Sequence, residues 1–559
     1  MRGCAGRRGQ MSPADACAAD RFKVRLPARP LILPLAARAG PSFSHKGRRD
    51  LLVTAALVLS CLAPRAFAQD TPAVPAPDSA APTSSSAPSA GAAPEPIPAP
   101  VQVQTLAKLD LFSTGRETGL GQDLWKGTSA DIARAVIPTL ASRPLSPAGL
   151  DLARQVLAQA ATAPDGAGAD ADLAAARAKA LLALGEAGLA DTILGHTPGL
   201  SDNAALSQTA AEAALITGQD AKACAISDAL AQGREAIYWL RLRTYCLLIN
   251  GKTDAAQLTF TLAVQQGKDP VFSRLMGVAI NGAGDPGRAS LRNGLDYALS
   301  RRLKLDLGQA LESAPPAIAE AIAAASAQAA AAGAPAAPTS LSEPEVIAPL
   351  QAVRSYPAFV AAAKAAEPGL AALVQAKSPM TEPVLEISAA LAAGDVATAQ
   401  AIRDGLSAGG APSLNPDDLA ILDAALAAGA GKPDAAALDA LCVRGGSADA
   451  KARGRLQTAA LQLAALGGDI SDADRADLIG FEIGRVEAPA ARLLILQDAA
   501  ASGRVGETAL IALTLAQAGG TTGPATADRV QIIRALSRVG LKSGAQAFAL
   551  EGLSPLLPR

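Results

Sequence analysis

The sequence predicts an all-α fold, an α-solenoid of helix-turn-helix units in two blocks, and three observations carry that expectation. Half of the 559 residues are hydrophobic, yet only 3% are aromatic, with 9 Phe, 4 Tyr and 2 Trp. Apolar volume must therefore come from Ala and Leu, which suit closely packed helices. Runs such as 171–184, 203–216 and 236–249 carry Leu, Ile and Ala at helical spacing and are broken by glycine instead of hairpin dipeptides. Glycines also recur at a fixed interval: Gly185, Gly218, Gly251 and Gly284 stand 33 residues apart. A sustained period of that size marks a repeat architecture.

The N-terminal part reads as an address. Residues 1–45 are Arg- and Pro-rich and look like a leader from a start placed too far upstream, with Met11 or a later start as candidates. Lys46, Arg48 and Arg49 then form a positive region, 51–63 an apolar stretch, and Ala66-Phe67-Ala68 a small-x-small site. This order predicts a Sec-type signal peptide cut after Ala68, so that 1–68 is leader plus signal and the mature chain lies in the periplasm or outside the cell. Two alternatives stay open. Val58-Leu59-Ser60-Cys61 is a loose lipobox that would give a lipid anchor on Cys61, and the acid-poor leader also fits an organelle transit peptide. Thirteen apolar-leaning residues are too few for a stable span, and no transmembrane span is expected in the mature chain. Residues 1–68 hold twelve Lys or Arg and three Asp or Glu, so the net charge of -1 becomes -10 over the remaining 491 residues. An acidic chain gives no reason to expect a nucleic-acid partner.

Residues 69–105, dominated by Pro, Ala and Ser, are expected to form a disordered tether. Block 1 follows over 106–312. In it the apolar residues Leu181, Ala214, Leu247 and Ile280 precede the glycines by four, and Ala190, Ala223, Ala256 and Ala289 follow them by five. The glycine ends one helix in the left-handed conformation, and the small residue lets the next helix approach. Residues 313–345 read as an Ala/Pro-rich linker, a helix-like piece at 318–332 with proline on both sides. Block 2, 346–559, repeats the pattern at Gly394, Gly431, Gly468, Gly503 and Gly540, with Ala399, Ala436, Ala473 and Ala545 at the same offset and Thr508 as the exception. Trp125, in the looser segment 109–126, is placed to cap the first repeat.

The stretches Leu248-Ile-Asn-Gly-Lys-Thr-Asp-Ala-Ala256, Ala213 to Ala223 and Leu391 to Ala399 resemble the inter-helix turn of tetratricopeptide (TPR) repeats, with a glycine, polar residues and a small residue five positions on. The resemblance covers the turns of about nine units. The large aromatic early in the first helix is mostly missing and no proline regularly closes a unit, so the expectation is a degenerate TPR-like solenoid. The resemblance implies a groove for a protein or peptide partner and carries over no binding residue.

Three cysteines follow the predicted cut. Cys224 on the second helix of one unit and Cys246 on the first helix of the next face each other across a turn near Gly233, with a mismatch of roughly 4.5 Å along the axis. That is tolerable for a disulfide, two buried thiols being the alternative. Cys442 reads as a small core residue. The segment 237–246 is the densest in aromatics. Tyr238, Trp239, Arg241 and Arg243 form a candidate interaction surface, or an amphipathic helix with Trp239 and Cys246 inward and the arginines outward.

Catalytic signatures lack context. Gly251-Lys252-Thr253 has the tail of a phosphate loop, but Cys246 stands where its leading glycine belongs. The glycines at 282, 284 and 287 fit a dinucleotide fingerprint by letter but follow a helical run. Ser407 fits a nucleophile elbow, yet no His follows it. Soluble lytic transglycosylases join an Ala-rich helical superhelix to a Glu-Ser catalytic domain; Glu312-Ser313 is followed here by Ala-Pro-Pro and no Gly-Leu-Met-Gln stretch. No cofactor, metal site or catalytic residue is expected. The function expected is a non-enzymatic scaffold or adaptor of the cell envelope. A cell-wall (peptidoglycan) acting enzyme or its accessory is the alternative, and a self-assembling structural role is third.

Overall fold

The computed structural model describes residues 109–558 apart from 334–341, 409–413, 469 and 483. The leader, the cut after Ala68, Cys61 and the tether lie outside the described residues. About 70% is helical, and the described residues form no strand, only isolated bridges at Arg116–Gln159 and Ser129–Asp165.

Helix starts follow capping chemistry. α1 (Ala130–Val136) is capped by Ser129, α2 (Pro147–Ala158) by Ser146 and α3 (Ala171–Ala183) by Asp170, each side chain accepting from a backbone N–H of the first turn. Proline at the first position of α2 supplies the helical φ where no N–H is needed. Helices then come as hairpins. α3 pairs with α4 (Ala187–Gly195), α5 (Ala204–Ile216) with α6 (Asp220–Ala229), and α7 (Ile237–Ile249) with α8 (Thr253–Gln266). α9 (Pro270–Asn281), α10 (Gly294–Arg302), the single-turn α11 (Gly308–Leu311) and α12 (Pro316–Gly333) follow without that regularity. α13 (Glu343–Ala352) and α14 (Tyr356–Gln375) then precede five more hairpins. These are α15 (Pro383–Ala393) with α16 (Val396–Ala408), and α17 (Pro416–Gly429) with α18 (Ala435–Ser447). The last three are α19 (Ala450–Ala465) with α20 (Asp472–Ile479), α21 (Ala490–Ala501) with α22 (Val505–Ala516), and α23 (Thr526–Arg538) with α24 (Lys542–Leu553).

All nine periodic glycines have positive φ, between 62° and 116°. At Gly251 (φ 72°) the Gly251 N–H donates to the Leu248 carbonyl (3.0 Å), and the Lys252 N–H reaches back to Leu247 (2.9 Å). This closure satisfies the last carbonyls of α7, and its left-handed residue is strained for anything but glycine. The same six-residue bond recurs from Glu186, Gln219, Asp395, Lys432, Arg504 and Leu541. Ala190, Ala223, Ala256, Ala399, Thr508 and Ala545 are all buried. In the α17–α18 and α19–α20 turns the buried position moves on by one, to Ala437 and Asp474, because each of these two turns is longer than the others.

Gly284 departs from the pattern. α9 ends at Asn281 with Gly282 as its left-handed cap (φ 65°), and Gly284 and Gly287 lie in a loop that runs to Gly294. Proline at 286 and three positive-φ glycines between 282 and 287 stop the second helix from starting. Ala289 therefore sits in a loop, and α10 packs on α5 instead of pairing closely after Gly284.

The tract expected as a linker is partly folded. α12 lies against α3, α4 and α5, with Ala317 and Ile318 buried in a small cluster with Ala187, Ile216, Leu291 and Tyr297. α13, α14 and α15 share a second cluster around Val346, Leu350, Phe359, Ala363 and Leu370. α14 is the one described helix long and apolar enough to cross a membrane, with mean hydropathy 1.2, and it packs one face into that cluster.

One main core runs from Leu111 to Leu557 and takes in both blocks. Its N-terminal segment is held by Arg177, fully buried on α3. Its guanidinium donates to the carbonyls of Leu157 (2.7 Å), Gln159 (2.9 Å) and Phe112 (3.2 Å) and lies 5.0 Å over the Phe112 ring. Burial brings its pKa down to about 10, so it stays charged. Trp125 meets Phe112 edge to face at 6.2 Å. Its neighbours are not confined to the first helices, because the N-terminus of α22 packs on it: the Gly506 N–H donates to the Leu124 carbonyl (2.9 Å). α2 likewise packs against α22 and α24. A buried Arg529–Glu551 pair (3.2 Å) sits at that junction, and Glu551 also accepts from the Ala148 N–H (3.0 Å).

Candidate functional site

The best-formed concave feature lies in block 1. α3 and α5 run side by side and present stripes at helical spacing: Ala175, Lys179 and Ala183 on one, Ala205, Thr209, Glu212 and Ile216 on the other. Pro315, Ala317 and Ile318, at the start of α12, form a third wall, and Arg292 and Asn293 close one end. The cavity holds about 560 Å³. That lies within the range of ligand sites, and an apolar floor with a few polar groups around it is their usual composition.

The polar groups divide into engaged and free. Asp172 accepts from Asn203 (3.2 Å), and Arg292 is paired with Asp296 (2.6 Å) and Asp269 (3.1 Å). Glu212 accepts from the Gly294 N–H at 2.6 Å. Burial pushes its carboxyl above the ordinary range, and burial next to Glu212 pushes the Tyr238 hydroxyl well up. Lys179 and Gln208 are exposed on the walls, and no hydrogen bond or ion pair engages either among the described residues. What the groove offers an occupant is therefore an apolar floor and donors at its rim.

A second, larger groove of about 720 Å³ runs between α16, α17 and α18. Its polar wall is built around an Arg403–Asp423 pair at 2.7 Å, with Asp404, Lys432 and Asp434 nearby. Its exposed lining is more polar than apolar, the reverse of the first.

The aromatic segment is α7, and it forms no open surface. Trp239 is buried, and Tyr238 turns its hydroxyl inward toward Glu212. Arg241 does not point outward: it pairs with Asp269 (3.2 Å), donates to the Gly267 carbonyl (3.2 Å) and lies 5.4 Å over the Phe272 ring. The α8–α9 turn, brought back against α7, supplies Gly267 and Asp269, and the first turn of α9 supplies Phe272. Arg243 is half-buried, with two guanidinium nitrogens out of solvent. Cys224 and Cys246 are bonded to each other, with Cα atoms 5.5 Å apart, linking α6 to α7. Cys442 is buried; burial and the neighbouring Asp474 raise its thiol to about 12, so it is inert as a nucleophile.

The motifs met by letter fall in ordinary helical places. Gly251-Lys252-Thr253 is the α7–α8 turn, and Ser407 lies inside α16. Among the described residues no group of three or more His, Cys, Asp or Glu could hold a metal ion.

One pair of carboxyls escaped the sequence reading. Glu386 on α15 is 0% exposed, and neither of its oxygens meets an N–H or hydroxyl donor among the described residues. Burial, then contact with Glu343, then the charge of Glu382 raise it to about 8. Glu386 lines neither groove. Nothing in the sequence marks it, because a glutamate in an Ala-rich helix reads as a surface residue. The groove itself had a visible signal, the small and apolar stripes of α3 and α5; its third wall was hidden in the tract read as a linker. Comparison with protein-family models, curated proteins and solved structures finds no match to this chain.

Proposed function

We propose that this protein is an exported, non-enzymatic scaffold or adaptor, a degenerate TPR-like solenoid that binds a protein or peptide segment in the cell envelope. The observation that carries this reading is the groove between α3, α5 and α12, with its apolar floor and the unengaged donors Lys179 and Gln208. An extended segment laid along it buries apolar side chains and offers carbonyl or carboxylate oxygens to the rim. The Cys224–Cys246 bond supports export, since structural disulfides persist in oxidising compartments. Catalysis by the most perturbed carboxyl is disfavoured on access: Glu386 is fully buried, and a general acid must reach its substrate.

The test is a photo-crosslinker at Gln208 in the groove and another at exposed Asp285, both in living cells. A reproducible protein partner is expected at 208 and not at 285. The pair Gln208→Trp and Lys179→Glu, both at exposed positions, should cut capture at least about tenfold at unchanged thermal stability, the effect of losing a central contact of a small interface. Release of soluble wall fragments by the purified chain, with no partner captured, would sink this reading in favour of a wall-acting enzyme.

A further inference from the structure

Two helices that follow α9 fold back over α3 and α5, and they are held very differently. α10 is fixed: Leu295, Ala298 and Leu299 belong to the main core, Asp296 and Ser300 are buried, the Gly294 N–H donates to Glu212 (2.6 Å) and Arg301 pairs with Asp220 (2.7 Å). α12 is held by its first two turns. Ala317 and Ile318 are buried with Ala187, Ile216, Leu291 and Tyr297 in a cluster separate from the main core, while residues 323–329 are exposed without a break. Its ionic tie runs from Glu320 to Arg154 (2.5 Å), and the Glu320 carboxyl lies where a side chain at Gly185 would stand.

Release of α12 strands no charge. Arg154 keeps the Leu184 carbonyl (2.9 Å) and Glu186 (3.3 Å), and Glu320, already half-exposed, passes into water. A partly exposed ion pair of this kind adds little to stability, whereas a buried charge left alone would make the contact costly to break. What opens is apolar: the seat of Ile318 between Ala187 and Ile216, which adjoins the 560 Å³ cavity that Ala317 and Ile318 wall. α12 therefore lies on the groove as a bound segment would, with a branched aliphatic side chain in an apolar seat and, two residues on, a carboxylate on a guanidinium at the edge.

On the reading that this groove is the binding surface, we propose that the first two turns of α12 are an internal stand-in for the partner, a strap that covers the apolar end of the groove and that the partner displaces. The displacing segment carries the same chemistry, an aliphatic side chain for the seat of Ile318 and a carboxylate for Arg154. A strap and a fixed wall differ in sign. A wall gives contacts to the occupant, so weakening it lowers affinity. A strap competes with the occupant, so weakening it raises the apparent affinity, which is otherwise reduced to the undocked fraction.

The test places Ile318→Ser and Glu320→Gln, separately, in the full chain that carries the photo-crosslinker at Gln208. Each should raise the yield of the wild-type partner adduct in living cells at least about fivefold. Glu320→Gln alters a half-exposed side chain and decides the matter should Ile318→Ser not fold. An unchanged or lower yield, with the wild type still capturing its partner, overturns the strap and leaves the groove reading standing; no adduct from any of the three chains overturns both. Arg154→Gln added to Ile318→Ser should cancel most of the gain and Arg154→Lys should keep it, and a gain that survives Arg154→Gln overturns the partner carboxylate. Hydrogen exchange needs no partner: in the wild type, the amides of 319–322 should show a much weaker urea dependence than those of α3 and α5, as a local opening does. The same urea dependence in all three would mean that α12 leaves only when the block unfolds, and overturns the strap.

Discussion

At the scale of single residues, glycines do two different jobs, and substitution separates them. Gly503 ends α21 with φ 68° and has open space where a side chain would stand. Alanine there meets only the left-handed strain, about 1 kcal/mol. Gly506, three residues on, lies in the first turn of α22, where helix propensity alone would favour alanine by at most about 1 kcal/mol. Yet a Cβ there would stand 2.5 Å from Trp125 Cε3 and 2.8 Å from the Leu124 carbonyl oxygen, and the second of these is backbone and cannot step aside. Overpacking of that kind costs about 1–3 kcal/mol beyond the propensity gain. Gly506→Ala is therefore expected to lower the denaturant midpoint more than Gly503→Ala does, and a stabilised Gly506→Ala would show that the Trp125 contact is not formed. Gly503 could be read from the sequence because its role is local. The role of Gly506 depends on a residue nearly four hundred positions away.

Among elements, the hairpin is the unit that the sequence made legible. Its turn needs one left-handed residue, and its second helix needs one small residue at a fixed offset, so both leave marks at fixed spacing. The exceptions have local causes: Pro286 and the glycines around it abolish the helix after Gly284, and longer turns shift the buried position at Ala437 and Asp474. What did not show was which Ala-rich segment packs. α12 differs little in composition from a solvated helix, and only Ala317 and Ile318 meeting α3–α5 make it a groove wall. The α6–α7 hairpin carries the prediction at this scale. Cys224 and Cys246 close a loop of 22 residues, and the entropy removed from the unfolded chain by such a loop is worth about 3 kcal/mol. The Cys224→Ser/Cys246→Ser double variant should lose that much, and reductant should bring the wild type down to the same midpoint without affecting the variant. An unchanged wild-type midpoint in reductant would mean the bond contributes nothing to the fold.

For the whole molecule, the structure departs from the linear stack of helix pairs that the sequence predicts. A linear stack leaves two apolar ends that invite self-assembly. Here α1 and α2 pack against α22, and α2 against α24, so helices from the two ends of the described chain cover each other. Besides apolar contacts, the junction has a buried polar part: Arg529 and Glu551 pair at 3.2 Å and Glu551 holds the Ala148 N–H at the start of α2. Such a pair contributes little against an apolar replacement, but loss of one partner strands the other and costs about 3–5 kcal/mol. Glu551→Gln strands Arg529, and its consequence should cross from block 2 to block 1. Amides of α2 should lose exchange protection together with those of α23 and α24, while α7 and α8, which do not meet this junction, keep theirs. The compensated variant Arg529→Met/Glu551→Leu should recover most of the protection, because it leaves no buried charge unpaired. The same closure predicts that Glu551→Gln, and not the wild type, forms concentration-dependent oligomers in sedimentation, since only the opened junction exposes apolar helix faces. Loss confined to α23 and α24, with α2 unaffected and the variant monomeric, would show that the two ends fold independently and that the chain is an open stack after all.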